Sequence, residues 1–200
     1  MIYYPLNKGW YYTYIDIPNL EIIKQELISL SDSCKNKIIR TPGLFNVFRK
    51  DIVDCPEFMS YLASKGLDGK LNRLLYSTGA QGPNPHVDSG NPYNCIYSVN
   101  IPLLYAEDSY TVWYKTDKKY LLDFAKQGKD PNHSYNWIDI SDATEIARIQ
   151  YTSPAVVNTT ILHKASASRP DRIVCGIRFL PELTSDEVDR LIGLKDSNTL

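Results

Sequence analysis

Two hundred residues with 22 Lys and Arg against 23 Asp and Glu carry a formal charge of −1, which gives nucleic acid or an acidic membrane surface no electrostatic footprint to hold. The length suits a single domain, 1–200, with enough chain to bury a sizeable core. No apolar run reaches the about 18 residues of a membrane span, and the first residues lack the charged-then-apolar order of a secretion signal.

The expectation is therefore a cytoplasmic chain. Its four cysteines, Cys34, Cys55, Cys95 and Cys175, form no Cys-x-x-Cys pair and are expected to stay reduced. WYYTYIDI, Trp10 to Ile17, alternates well enough for a first strand. The next stretch, IPNLEIIKQELISLSDSC, places Leu20, Ile23, Leu27 and Leu30 at helical spacing, with Asn19 before them as a cap. CPEFMSYLASKG predicts a second helix, with Pro56 near its start and Gly66 past its end. The N-terminal helical region thus spans 18–66.

From Leu71 the character changes. LNRLLYST, CIYSVNIPLL, YTVWYKT, AVVNTTILHKA and RIVCGIRFLP are short β-type runs bounded by Gly, Pro, Asn and Asp. Over 115–151 the β pattern lapses into a polar stretch with one or two short helices, which predicts an insertion serving as a lid over a site. TSDEVDRLIGL predicts a C-terminal helix over 184–194, capped by Thr184 or Ser185, with Glu187 suited to a capping box. The order of elements is mainly β with bracing helices, an antiparallel sandwich or barrel.

Histidine is scarce, with three in the chain. His86 and Asp88 in NPHVDSG are two apart, so in a strand they share a face. One imidazole and one carboxylate on one face are two-thirds of the facial triad that holds non-heme Fe(II). His163, at the end of VVNTTILH, is the one late histidine in the β half; His133 in KDPNHSYN reads as a solvated residue. Arg172 follows His163 by nine residues, enough for a turn through SASRPD into a neighbouring strand. A guanidinium there is suited to gripping a carboxylate through two parallel hydrogen bonds. Arg178 shares its face by period two, and Arg169 sits in the turn. Taken singly, each has a plainer role open to it: a hydrogen-bonded strand histidine, a strand-end arginine.

Together, YSTGAQGPNPHVDSGNPYNCIYSVNIPL and LHKASASRPDRIVCGIRF resemble the prolyl-hydroxylase-like branch of the Fe(II)/2-oxoglutarate dioxygenases, over about 71–180. The resemblance implies a double-stranded β-helix, a jelly-roll or cupin-like barrel braced by helices. It implies that His86, Asp88 and His163 bind Fe(II), that Arg172 pairs with the distal carboxylate of 2-oxoglutarate, and that O2 is the other cosubstrate. Tyr76, ten before His86, falls where relatives place a tyrosine on the cosubstrate; a core tyrosine is the other reading. Ser98 stands where relatives have a second such tyrosine, and Val174 where many have Ser or Thr. Asn100 shares the face of Ser98 and either lines the pocket or ends a strand. Trp113, Tyr114 and Trp137 line the pocket or pack in the core.

The implied activity is hydroxylation of a C–H bond in a peptide or small molecule, since Asp88 occupies the position that halogenases of this fold leave to a small residue. The alternatives are a cupin-type metal enzyme that does not use 2-oxoglutarate, and a non-catalytic β-helix binding module. Arg172 separates the first of these from the dioxygenase, because a cupin-type enzyme needs no carboxylate clamp.

Overall fold

Helix α1, Leu20–Cys34, buries Ile23, Leu27 and Leu30, the apolar stripe at the spacing that faces one side of a helix. Each such side chain contributes about 1.5–3 kcal/mol when fully removed from water. Helix α2, Pro56–Ser64, has proline in its first turn. The Glu26 carboxylate accepts the α2 amides of Glu57 and Phe58 at 2.9 Å each, so a side chain of α1 satisfies the start of α2. Gly66, at φ +68°, ends α2 in the left-handed conformation that glycine adopts without steric cost.

The computed structural model describes residues 11–34, 44–52, 54–78, 85–86, 97–115, 141, 143–167, 169–181 and 183–193. Nine strands lie among them: β1 Tyr12–Tyr14, β2 Leu44–Phe48, β3 Leu71–Thr78, β4 Tyr97–Leu104, β5 Tyr110–Lys115, β6 Thr144–Gln150, β7 Ala155–Asn158, β8 His163–Ser166 and β9 Ile173–Phe179, followed by helix α3, Ser185–Leu191. They form a six-stranded sheet ordered β1-β7-β4-β9-β3-β2 and a three-stranded sheet ordered β6-β5-β8. Every pairing is antiparallel.

His86 adds a bridge to the free edge of β8. The chain therefore visits the large sheet at β3, the small one at His86, the large at β4, the small at β5 and β6, the large at β7, the small at β8 and the large at β9. That alternation is the jelly-roll form of the double-stranded β-helix.

One face of the large sheet packs on the helices. Leu74 and Tyr76 of β3 and Cys175 and Ile177 of β9 share a core with Ile23, Leu27, Phe58 and Leu62. The other face looks towards the small sheet. Trp113 and Ile149 from the small sheet meet Val157 and Val174 from the large one in a second apolar cluster.

Several expectations needed correction. AVVNTTILHKA is not one strand. Asn158 Oδ1 accepts from the Thr160 backbone N–H at 2.9 Å and from its hydroxyl at 2.7 Å. This side-chain turn stops β7 and sends the chain to the other sheet. The insertion does not reach residue 151, because Thr144–Gln150 is strand β6. That strand lies at a sheet edge and is mostly exposed, so it shows little apolar alternation to read; residues 116–140 lie outside the described residues. β2 also escaped the sequence reading. The first strand spans only Tyr12–Tyr14.

Asn19 does not cap α1 with its side chain. Its backbone carbonyl accepts the Ile22 and Ile23 amides, while its side-chain amide donates to Glu57 at 2.6 Å. The C-terminal helix is shorter than 184–194, with the capping box formed as expected: Thr184 and Glu187 hydrogen-bond reciprocally. Cys34, Cys55 and Cys175 are buried; Cys95 lies outside the described residues.

Candidate metal centre and cosubstrate cavity

His86 and His163 exchange both backbone N–H···O bonds, each 2.9 Å. In such a pair the side chains project to the same side, and the two imidazole rings lie 4.5 Å apart between centroids. Both residues are buried. His163 Nδ1 is 2.8 Å from the Ile161 carbonyl. A carbonyl only accepts, so Nδ1 carries the proton and Nε2 keeps its lone pair for a metal. Asp88 lies outside the described residues. Among the described ones no group of three His, Cys, Asp or Glu gathers, as the expected set requires Asp88.

Beside the histidines is a cavity of about 80 Å3 between the sheets, against the about 10–15 Å3 that one water needs. Arg172, Val174, Gly176 and Arg178 all line it, the period-two set of β9 and the residue before it. Arg172 is buried to 2% exposure. Its Nη2 donates to Ser77 Oγ at 3.1 Å, and its Nε has no partner among the described residues. Burial lowers its pKa, opposed by the nearby Tyr151; a guanidinium nonetheless stays charged. Arg169 instead pairs with Asp171 through two bonds of 2.9 and 2.7 Å and lies over the Tyr105 ring, outside the cavity as its place in the turn suggested.

Tyr76 is not a cavity residue. Its hydroxyl donates to the Leu27 carbonyl at 2.9 Å, and its ring stacks on Phe45 at 4.8 Å. Neighbouring strand residues face opposite sides, so Leu75 and Ser77 line the cavity while Tyr76 faces the helices. The polar phenol is instead supplied by Tyr151. Its hydroxyl accepts from Asn100 Nδ2 at 2.7 Å and lies 2.8 Å from Thr111 Oγ1. Burial raises the pKa of Tyr151, offset in part by the Thr111 and Asn100 hydrogen bonds and by the charges of Arg172 and Arg178. It is thus a neutral donor, placed within the field of both arginines.

Of its two readings Asn100 takes the cavity one and is among the lining residues. Ser98 lies beneath it, donating to Asn100 Oδ1 at 2.8 Å, and fixes which end of that amide faces Tyr151. Gly176 leaves room for both: a Cβ there would stand 3.1 Å from Asn100 Oδ1 and 3.4 Å from Ser98 Oγ. Trp113 lines the cavity and donates to the Asn158 carbonyl at 2.9 Å, while its indole stacks on Tyr12. Tyr114 is half-buried and is not among the lining residues; Trp137 lies outside the described residues.

The residues that sequence reasoning missed are Ser77, Thr111, Tyr151 and Asn158. Period two in YTVWYK pairs Thr111 with Trp113, a signal that was present. Tyr151 carried none, standing at the end of the apparent insertion. The described cavity wall holds two guanidinium groups and no carboxylate, a surface complementary to an anion.

No protein-family model matches the chain, and no curated protein matches it. Among solved structures, it is similar to a prolyl-4-hydroxylase of Pseudomonas putida at 8% identity, covering 86% of this chain and 91% of that one, with a TM-score of 0.48. It is also similar to SnoK, a non-heme α-ketoglutarate-dependent carbocyclase from nogalamycin biosynthesis, at 13% identity over 84% and 79% of the two chains, with a TM-score of 0.48. A third similar structure is a prolyl hydroxylase of Trichoplax adhaerens in complex with a hypoxia-inducible-factor peptide, at 12% identity over 84% and 82%, with a TM-score of 0.45.

Proposed function

We propose that this chain is an Fe(II)- and 2-oxoglutarate-dependent oxygenase that hydroxylates an unactivated C–H bond of a peptide or small molecule. The observation that carries the reading is one cavity with two imidazoles side by side at one end and a buried arginine, its Nε without a partner among the described residues, on its wall. The donor set fits the groups it would hold. Two imidazoles, with the carboxylate of Asp88 as the third ligand, are the facial set for Fe(II). Arg172 offers a planar fork for the distal carboxylate of 2-oxoglutarate.

Bound iron and 2-oxoglutarate would supply the oxidising chemistry, with O2 giving one atom to 2-oxoglutarate, released as succinate and carbon dioxide, and the other to the substrate C–H bond. The residues of this chain bind and orient. The Ile161 carbonyl holds the His163 tautomer. Ser77 braces the Arg172 fork. Tyr151, itself held by Asn100, is placed to donate to a carboxylate beside Arg172. Trp113 and Val174 add apolar surface to the cavity wall.

The test is anaerobic calorimetry of Fe(II), then of 2-oxoglutarate with Fe(II) present, followed by succinate release in air. One tight metal site, metal-dependent cosubstrate binding and Fe(II)-dependent succinate are expected. Metal binding without any 2-oxoglutarate binding would overturn the reading in favour of a cupin-type enzyme.

A further inference from the structure

A row of aromatic rings runs between the sheets from the histidine pair to the protein surface. Trp113 pairs with His163 across β5 and β8, and both line the cavity. The indole is thus the cross-strand neighbour of an imidazole assigned to the metal. The Trp113 and Tyr12 rings stack, 5.8 Å between centroids and 16° between planes. Tyr12 in turn meets Tyr14 edge-on at 5.7 Å. Exposure rises along the row: Trp113 is fully buried, Tyr12 half-buried and Tyr14 43% exposed. Tyr11 lies 5.9 Å from the same indole, tilted by 43°.

Packing accounts for an apolar stack, but it asks neither for phenols nor for this order. The order is that of a one-electron path, in which rings in contact pass electrons to one another. The Trp113 N–H is donated to the Asn158 carbonyl at 2.9 Å. A carbonyl is no base, so an indole that loses an electron there keeps its proton and stays a strong oxidant. A phenol that sheds its proton along with the electron is easier to oxidise, which sends the electron deficit outward. Tyr14 is where that proton can reach water; its hydroxyl, bonded to the Gln150 carbonyl at 2.7 Å, fixes the ring at the surface beside β6. Tyr151, the phenol inside the cavity, is no exit. It is buried, and the charges of Arg172 and Arg178 act on it, a positive field that opposes loss of an electron.

We infer that Trp113, Tyr12 and Tyr14 form a relay that drains oxidising equivalents from the metal centre to the surface when no substrate is oxidised. The inference rests on the oxygenase reading. Turnover without substrate leaves one oxygen atom of O2 uninserted, and reducing it to water takes two electrons and two protons. Each electron leaves Trp113 and is replaced from Tyr12, which is restored by the step that oxidises Tyr14. Tyr14 ends one electron and one proton short, and its proton goes to solvent, which also supplies the protons used at the centre. A one-electron reductant of the ascorbate class then returns the electron, and water the proton, to Tyr14. Two passages clear the oxygen atom as water. Without the drain, that atom goes into the electron-rich ring nearest the centre, Trp113.

The experiment runs the full chain with Fe(II) and 2-oxoglutarate in air, without any further substrate, with and without ascorbate. Three things are read: succinate release, the electron paramagnetic resonance of rapidly frozen samples, and peptide mass mapping after reaction with a nitroso spin trap. A tyrosyl radical that ascorbate removes, a trap adduct on Tyr14 and a Trp113 peptide left largely unmodified are expected. Because Tyr11 touches the same indole, the decisive variant is Tyr11→Phe with Tyr12→Phe, which keeps both rings and removes both phenols. It should lose the adduct on Tyr14 and raise the oxygenated Trp113 peptide several-fold, with 2-oxoglutarate affinity unchanged. Tyr14→Phe, at an exposed position, should also raise Trp113 oxygenation, and it decides where the double variant fails to fold.

Fe(II)-dependent succinate release with no tyrosyl radical and no adduct on Tyr14 overturns the inference and leaves the oxygenase reading standing. So does Trp113 oxygenation that is equal in the wild type and the variants, which would make the row a packing feature alone. Failure of the wild type to release succinate overturns the reading and the inference together.

Discussion

His86 and His163 are joined through the main chain before any metal joins them: each amide donates to the other's carbonyl at 2.9 Å. The ring pair is therefore held by backbone pairing, and removing one imidazole should leave the other in place. His163→Ala and His86→Ala are each expected to weaken Fe(II) binding by more than the about 10–100-fold that losing a ligand's hydrogen-bond partner costs, with little change in melting temperature. Anaerobic metal titration beside thermal unfolding checks this.

Arg172→Ala should raise the dissociation constant of 2-oxoglutarate while Fe(II) binding stays intact. Removing one member of a buried charged pair costs about 3–5 kcal/mol, on the order of a hundredfold or more in affinity. Arg172→Lys should recover only part, since an ammonium cannot copy the planar fork. Calorimetry on the Fe(II) form reads both.

The two tyrosines should behave oppositely. Tyr76→Phe removes a bond to the Leu27 carbonyl and should cost about 0.5–1.5 kcal/mol of stability or somewhat more, without changing 2-oxoglutarate affinity. Tyr151→Phe removes a donor from the cavity and should weaken the cosubstrate about tenfold or more, as hydrogen bonds to charged groups contribute about 1.5–3 kcal/mol. Equal cosubstrate affinity for Tyr151→Phe and wild type would count against its place in the grip.

That contrast marks what could be read before folding. His86, His163, Arg172 and Asn100 are at or beside the cavity because their types are rare or charged and their spacing fits the strands. Tyr76 stayed between two readings, of which the core one is the observed one, because its face depends on a register that one residue reverses, and spacing from His86 cannot report it across 79–84, which lie outside the described residues. β6 was unreadable because an exposed edge strand has no buried face to pattern. Asn158 was taken for strand interior because its turn is made by a side chain bonding two residues on, a feature of geometry rather than hydropathy.

Acid stability should depend on Glu187. Burial pushes its pKa up, but hydrogen bonds from Lys70 and Thr184 outweigh it and the carboxyl ends below its ordinary value. A folded pKa below the unfolded value of about 4.3 gives stability that is present above the unfolded value and lost as pH falls through the folded one. Glu187→Gln should therefore be less stable than wild type at pH 7, and the gap should close as the pH is taken below about 4. Denaturant midpoints across that range test it.

The strand from Arg172 to Phe179 borders two compartments. Even-numbered positions meet the cavity, and Cys175, Ile177 and Phe179 meet the helices. Selection can therefore act on the two sets separately. A lineage could exchange Val174 and reshape the cavity while the odd positions keep the fold, without passing through unfolded ancestors. A single-residue insertion inside the strand would do the reverse, driving cavity-facing residues into hydrocarbon. Point substitution, not length variation, is the route by which this strand can diversify.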